Sequence, residues 1–224
     1  MEYELRIYDK LLQFTLFQGM SRAELMEVVA HTKLDFQKLP AGRWVTRADD
    51  ECTHVTLLVS GMLQCETASA DGNCRVVEMM EAPYMLPLNH LFGLTHRHVS
   101  SFKTLTPCHL ITIDKQEVLL LLETQLVFRL NMLNLLAAES QTLQRRVWHA
   151  VPHDLRQRIV RFFFSHTLHP AGPKTFFLLM RQLAAHLNDS RLDVSRELNA
   201  MQAEGLLTLH RGRIVIPLLE RLLM

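Results

Sequence analysis

Cysteine is scarce in this 224-residue chain, and its placement suits neither metal nor disulfide chemistry. The four cysteines, Cys52, Cys65, Cys74 and Cys108, include no Cys-x-x-Cys pair. A zinc ribbon and a disulfide framework are therefore both unexpected, and buried thiols are the default. Long hydrophobic runs are missing too. The longest apolar clusters, such as Val118 to Leu122 and Phe162 to Phe164, fall far short of the roughly 20 residues a membrane helix needs. The acidic opening MEYELRIYDK is not a secretory signal. These absences predict a cytoplasmic protein with no membrane partner. Nor is there a large charge of one sign, since 24 Lys and Arg oppose 23 Asp and Glu for a net +1. With 48% hydrophobic and 21% charged residues, the composition excludes disorder and leaves room for two globular domains.

The near-neutral total hides a division. From Pro152 onward, where a helical pattern breaks, ten Lys and Arg face six Asp and Glu, about +4, which leaves about −3 for the rest. The excess belongs to the half of the chain that contains RQLAAHLNDSRLDVSRELNAMQAEGLL, from Arg181 to Leu207, as counterion release asks of a phosphate-binding domain. The first half of that segment predicts a helix through Gln182 to Leu187, with Leu183 and Leu187 four apart on the buried side. Asn188 tolerates a positive φ and supplies a turn. Ser190 is the expected N-cap of a second helix, with Asp193 three residues on as a short-armed capping box. In that helix Val194, Leu198 and Met201 form the apolar stripe, leaving Arg191, Leu192, Ser195, Arg196 and Asn199 outward.

Two short amphipathic helices joined by a tight turn make a helix-turn-helix, whose second helix enters the major groove of DNA. Arginine's rigid fork can donate to guanine O6 and N7 together, while serine and asparagine serve bases or phosphates. A plain helical hairpin with a solvated charged face is the bland alternative. Against it, Glu204-Gly205 ends the second helix, and LLTLH and RIVIP around Arg211-Gly212 read as a strand hairpin. A winged helix is therefore expected, with Arg211 and Arg213 at its tip near the phosphate backbone.

Upstream, residues 34 to 113 lack helical periodicity and carry short β-rich runs, HVTLLVSG, MLQCETAS, CRVVEMM, VSSFKTL and HLITID, separated by turn residues. They predict an antiparallel β-roll or jelly roll. After Asp114 the pattern turns helical, first over Lys115 to Glu123 and then from about Gln125 to His149. There Leu126, Leu130, Leu133, Ala137, Ser140, Gln144 and Val147 follow a four-three spacing, the seam of a helix that pairs with its own copy. Leu135, Leu136 and Leu143, on a neighbouring face, suggest packing on the β domain as well. The expected fold is α+β: an N-terminal β-roll sensor domain over 1–124, a central dimerisation helix and hinge over 125–151, and a winged helix-turn-helix over 152–224.

In this order of parts the chain resembles the CRP/FNR family of bacterial transcription regulators along nearly its whole length. The resemblance rests on PAGRWVTRADDECTHVTLLVSGMLQC in the β-roll and, more specifically, on SRLDVSREL followed by MQAEGLL. Asp154 occupies the family's hinge position. The resemblance implies a homodimer, a cyclic-nucleotide-binding-like sensor, double-stranded DNA with a pseudo-palindromic operator as ligand, and RNA polymerase as a further partner, with no enzymatic activity. Base-reading positions fall on Arg191, Leu192, Ser195 and Arg196, and Ser190, Asn199, Lys174, Arg211 and Arg213 are expected at the DNA backbone. Leu192 departs from the family's common glutamate and can offer only an apolar contact, such as to a thymine methyl.

The sensor departs further. Cyclic-AMP-binding members hold ribose and phosphate with a Gly-Glu pair and an Arg-Ser or Arg-Thr pair, whereas an ungapped alignment from Gly72 puts Pro87-Leu88 and His98-Val99 there. Leucine cannot accept a hydroxyl proton and valine cannot donate to phosphate. Cyclic AMP is therefore not expected. An unknown effector would meet Leu86, Pro87, Leu88, His98, Val99, Leu143 and Gln144. The family's iron–sulfur branch uses cysteines near the N-terminus, and none precedes Cys52, so no cluster is expected. Twelve histidines and eleven methionines could supply haem ligands, but composition selects no pair. Three alternatives stand beside an effector-controlled regulator: a constitutive DNA-binding dimer with a degenerate sensor, a haem-based gas or redox sensor, and a cupin-like metalloenzyme suggested by His96-Arg97-His98. The last lacks an acid in the following VSSFKTL, and neither cofactor nor metal is expected.

Overall fold

A computed structural model describes residues 2–148 and 152–223. The chain begins with α1 (Glu2–Leu11), a 3-10 turn and α2 (Arg22–His31). Eight strands follow: β1 (Leu34–Leu39), β2 (Trp44–Thr46), β3 (His54–Ser60), β4 (Met62–Ala68), β5 (Arg75–Glu81), β6 (Tyr84–Met85), β7 (Ser100–Thr104) and β8 (Cys108–Asp114). Next come α3 (Lys115–Thr124), α4 (Leu126–Trp148) and α5 (Leu155–Ser165). The C-terminal part holds β9 (Lys174–Phe177), α6 (Met180–Leu187), α7 (Arg191–Ala203), β10 (Thr208–His210) and β11 (Arg213–Ile216). This is the expected α+β succession of antiparallel strands, long helix and helix-turn-helix. Of the expected hinge, His149, Ala150 and Val151 lie outside the described residues. Among those described, no single helix is long and apolar enough to cross a membrane.

The residues divide into two compact units. The first comprises 1–63, 80–98 and 103–147. Its sheet has the order β1-β8-β3-β6, and strand alternation sends Val55 and Leu57 of β3 and Ile111 and Ile113 of β8 to one face. Helices close that face with Leu16, Phe17, Val118, Leu121, Phe128 and Met132, all buried. Asp114 caps α3 by accepting the Gln116 N–H at 2.8 Å, so the switch from strand to helix is fixed at one residue. Helix α4 buries Phe128 and Met132 and leaves its expected seam, Leu126, Leu130, Leu133, Ala137, Ser140 and Gln144, exposed. Val147 continues that seam, with its side chain outside those described. Leu135 and Leu136 pack on the core, whereas Leu143 is exposed.

The second unit comprises 64–79, 99–102 and 148–224. Within it the hydrogen-bonded order is β10-β11-β9-β5-β4-β7. Its core joins Phe163 of α5, Leu183 of α6, Val194, Leu198 and Met201 of α7, and Phe176 and Ile214 of the sheet to Cys74 and Val76 of the β4–β5 hairpin. Strand pairing between β5 and β9 joins residues 64–79 to this C-terminal unit. All four cysteines are buried and free, and burial pushes the Cys65 thiol up to about 12.

Candidate nucleic-acid interface

Helix α6 ends at Asn188, which takes a left-handed φ of 50° and lets the chain turn between the two helices. Ser190 then caps α7, its hydroxyl oxygen accepting the Asp193 N–H at 3.0 Å. The expected reciprocal arm is not made. The Asp193 carboxylate is a methylene shorter than that of glutamate and accepts instead from the Ser190 hydroxyl at 2.6 Å, while the Ser190 N–H goes to Asp189 at 2.7 Å. Asp193 has a second partner, Arg196, whose guanidinium donates to it at 3.0 Å. The reading face is open: Leu192 is 68% exposed and the Arg196 side chain 72%. Arg191 is exposed as well, Ser195 is half-buried, and Asn199 folds back to donate to the Ser195 carbonyl at 2.7 Å. Behind them Val194, Leu198 and Met201 are fully buried. Gly205, at φ 75°, ends α7 with the Leu206 N–H on the Met201 carbonyl and its own N–H on that of Gln202.

Two arginines that the sequence did not single out brace this motif from α5. Arg158 donates to the Leu187 carbonyl at 2.9 Å and pairs with Asp189, tying α5 to the turn of the helix-turn-helix. Arg156 grips Glu204 through both terminal nitrogens and lies 3.6 Å from Glu197, holding the far end of α7. That hydrogen bonding keeps the Glu204 carboxyl below its ordinary range. Asp154 caps α5 by accepting the Gln157 N–H at 3.0 Å, so the two arginines project from a helix with a defined start. Spacing alone does not mark them, because nothing in an isolated α5 shows where α7 will lie.

The wing is the β10–β11 hairpin, in which His210 pairs with Arg213 around a two-residue turn. Gly212 supplies the positive φ of 69° there. Gln202 anchors the wing to α7, its carbonyl accepting the Leu209 N–H at 2.6 Å. Between wing and helices lies a hollow of about 430 Å³, bordered by Arg181, Arg191, Arg211 and Arg213. Arg181 was not among the expected contacts, though its place at the start of the helix-turn-helix was visible. Four guanidiniums around one concavity form an anion-binding surface that suits phosphate oxygens.

Lys174 is a correction. The sequence places it at the DNA backbone, but its side chain is wholly buried, with Nζ 3.2 Å from Glu78 and 2.8 Å from the Ala171 carbonyl. On β9 it points inward with Phe176, away from solvent and from any phosphate. The positive excess after Pro152 is therefore partly structural, since Arg156, Arg158 and Lys174 are all held by carboxylates of the protein.

Comparison with known families gives two matches, a cyclic nucleotide-binding domain over residues 36–125 and a Crp-like helix-turn-helix domain over residues 157–224. The chain belongs to the CRP/FNR family of transcription regulators. Among solved structures it is similar to the sensor domain of the transcriptional regulator DNR from Pseudomonas aeruginosa, at 21% identity over 69% of this chain and 99% of that one, TM-score 0.54. It is also similar to a transcriptional regulator of the CRP/FNR family from Eubacterium rectale, at 19% identity over 93% of this chain and 96% of that one, TM-score 0.50. No curated protein matches. At these identities the neighbours speak for the fold, and the family for DNA-binding transcription regulation.

Of the candidate effector residues, Leu86 and Leu88 are buried core side chains, Leu88 among Val55 and Leu91, and offer no surface to a ligand. Pro87 is half-buried, and Val99, Leu143 and Gln144 are exposed. His98 alone of this set borders the hollow of about 270 Å³ in the first unit, with Gln37, Asp50, Glu51, His54 and Thr112. Burial lowers the His98 pKa, His90 adds to the effect and Asp50 opposes it, which disfavours the imidazolium that a phosphate would need. Of the His96-Arg97-His98 run, His96 bonds the Gly93 carbonyl at 3.0 Å. Among the described residues no three His, Cys, Asp or Glu side chains converge to hold a metal ion.

Proposed function

We propose that this CRP/FNR member is a cytoplasmic homodimer that reads a pseudo-palindromic operator and answers to an effector other than cyclic AMP. The observation that carries the DNA reading is the hollow of four arginines beside the exposed face of α7. In that reading Arg191, Leu192, Ser195 and Arg196 meet base edges. Arg181, Arg211 and Arg213 meet phosphates, joined by Ser190 and Asn199. Dimerisation through α4 is supported by Leu126, Leu130 and Leu133, each about half exposed on one face of a helix whose other face is core. Bound at a promoter, such a dimer would act beside RNA polymerase.

A different effector is supported by the chemistry of the sensor hollow, where Asp50 and Glu51 would repel a cyclic phosphate and burial disfavours a charged His98. The second reading is a constitutive DNA-binding dimer with the β-roll as scaffold, favoured by the burial of Leu86 and Leu88 in the core. Selection of bound sequences from random DNA by the purified protein tests the main reading. An inverted repeat with half-site centres about 34 Å apart is expected; an unordered set of sequences would overturn it. Mass spectrometry and an absorption spectrum of the same preparation separate the effector readings: a bound small molecule supports control, a haem band identifies a haem sensor, and neither favours the scaffold.

A further inference from the structure

Strand β5 comes from the N-terminal half of the sequence, yet it is the fourth strand of the winged-helix sheet. It pairs with β9 in the register Arg75 to Phe177, Val76 to Phe176, Val77 to Thr175 and Glu78 to Lys174. Strand β9 pairs in turn with β11, so Val76, Phe176 and Ile214 form one buried row, and Glu78, Lys174 and Ile216 form the next. The alternate, outward row joins Arg75 and Phe177 to Arg213, the cation at the wing. Side chains reinforce the ladder. The Arg75 guanidinium sits 4.1 Å over the Phe177 ring, and Gln182 in the first turn of α6 donates to the Asn73 side-chain carbonyl at 2.6 Å.

Beneath the sheet, Glu78 and Lys174 form an ion pair at 3.2 Å with neither side chain more than 1% exposed. Glu78 is fully employed: it also accepts the N–H groups of Leu168 and His169, at 2.9 and 3.1 Å. A pair so deeply buried adds little stability over two apolar side chains of the same volume. It does specify register, because a slip of one residue would turn the two charges to opposite faces of the sheet.

We propose that the β4–β5 hairpin is a working part of the DNA-binding unit, and that Glu78, through Lys174, is the positioning residue that holds the wing where Arg211 and Arg213 meet the phosphate backbone. The docked hairpin is the DNA-competent arrangement, since it covers the β9 edge and leaves the reading face of α7 open. A displacement of the hairpin is thereby a displacement of the wing. The proposal rests on the DNA-binding reading above.

The test is operator binding by the full chain over a range of salt. Glu78→Gln, which strands the Lys174 charge, should weaken operator binding about tenfold or more and make the salt slope shallower by about one to two, the share of the two wing arginines. The base preference set by Arg196 should stay. The double variant E78Q/K174M, which removes the stranded charge and keeps a side-chain carbonyl for the Leu168 and His169 N–H groups, should return affinity to within about threefold of the parent and restore its slope. Should E78Q fail to fold, a cross-link decides: V77C/T175C joins residues that face each other across β5 and β9, at a spacing of about 5 Å that a disulfide spans. Oxidised, it should bind as the parent does. Loss of binding on oxidation, regained on reduction, would show that the hairpin must leave the sheet, and the proposal falls. A folded E78Q with the parent's affinity and slope also overturns it while leaving the DNA reading intact. A parent that binds no DNA removes both.

Discussion

Each compact unit has a hollow bordered by charged side chains, and the sign of the charge differs between the two. In the C-terminal unit Arg181, Arg191, Arg211 and Arg213 border a hollow of about 430 Å³. In the first unit Asp50, Glu51, His54, His98 and Thr112 border one of about 270 Å³, with the His98 pKa lowered by burial. Cations border the hollow beside the helix-turn-helix and suit an anion, whereas carboxylates border the hollow in the first unit and do not. The lesson is that two halves of one chain need not share an electrostatic design, so the chemistry of one hollow does not foretell that of the other.

The contrast can be broken or sharpened by experiment. The largest effect is expected for the double change R211A/R213A, which should weaken binding to operator and random DNA alike and make the salt slope shallower by about two. An unchanged slope would empty the groove of its phosphate role. Arg196→Ala should cost about 1 to 3 kcal/mol on the selected operator and relax preference at one base pair per half-site. Equal losses on operator and random DNA would make Arg196 a backbone contact instead. Asp193→Ala, which frees Arg196 from an exposed pair, should cost less than about 1 kcal/mol, seen as a small loss of operator selectivity in competition binding. For the sensor hollow, cyclic AMP at millimolar concentration should leave both Tm and operator affinity unmoved; a clear rise in Tm would mean binding to the native state and would dissolve the contrast.

The smallest effect belongs to the hairpin tip. There the Ser69 hydroxyl, followed by the Asn73 backbone N–H, holds the Asp71 carboxyl at about 2, down from 3.8. Because the folded value is the lower one, the stabilisation is complete above about pH 4 and is lost as pH falls through about 2. Asp71→Asn should therefore narrow its gap from the parent in acid unfolding as pH drops across that window; a gap independent of pH would contradict it.

Legibility followed the range of the interaction. The helix-turn-helix was readable because its determinants are local: a left-handed Asn188, a capping Ser190, and Val194, Leu198 and Met201 at helical spacing. Lys174 was misread because a positive charge in a basic domain says nothing of burial, which here is decided by a carboxylate some hundred residues earlier. A signal did exist. Val76, Glu78 and Met80 alternate along one face of β5 and all three are buried, so the strand pattern placed an acid among core residues that needed a cation. Arg156 and Arg158 carried no such mark, since their partners Glu204 and Asp189 are fixed only by tertiary packing. The sensor hollow draws on β1, the β2–β3 connection and β8 and could not be assembled from the ungapped alignment that nominated Pro87-Leu88 and Val99 beside His98.

The pairing of β5 with β9 also bears on how this protein can be dissected. A fragment that starts at Pro152 holds every residue of the helix-turn-helix and the wing, but it leaves one border of its sheet as a row of unsatisfied N–H and C=O groups beside Phe176. Bare edges of this kind recruit other strands. Such a fragment is expected to self-associate, while a version in which residues 64–79 are spliced ahead of the C-terminal unit should do so less, since β5 then covers β9 and Phe176 and the open edge moves out to β4.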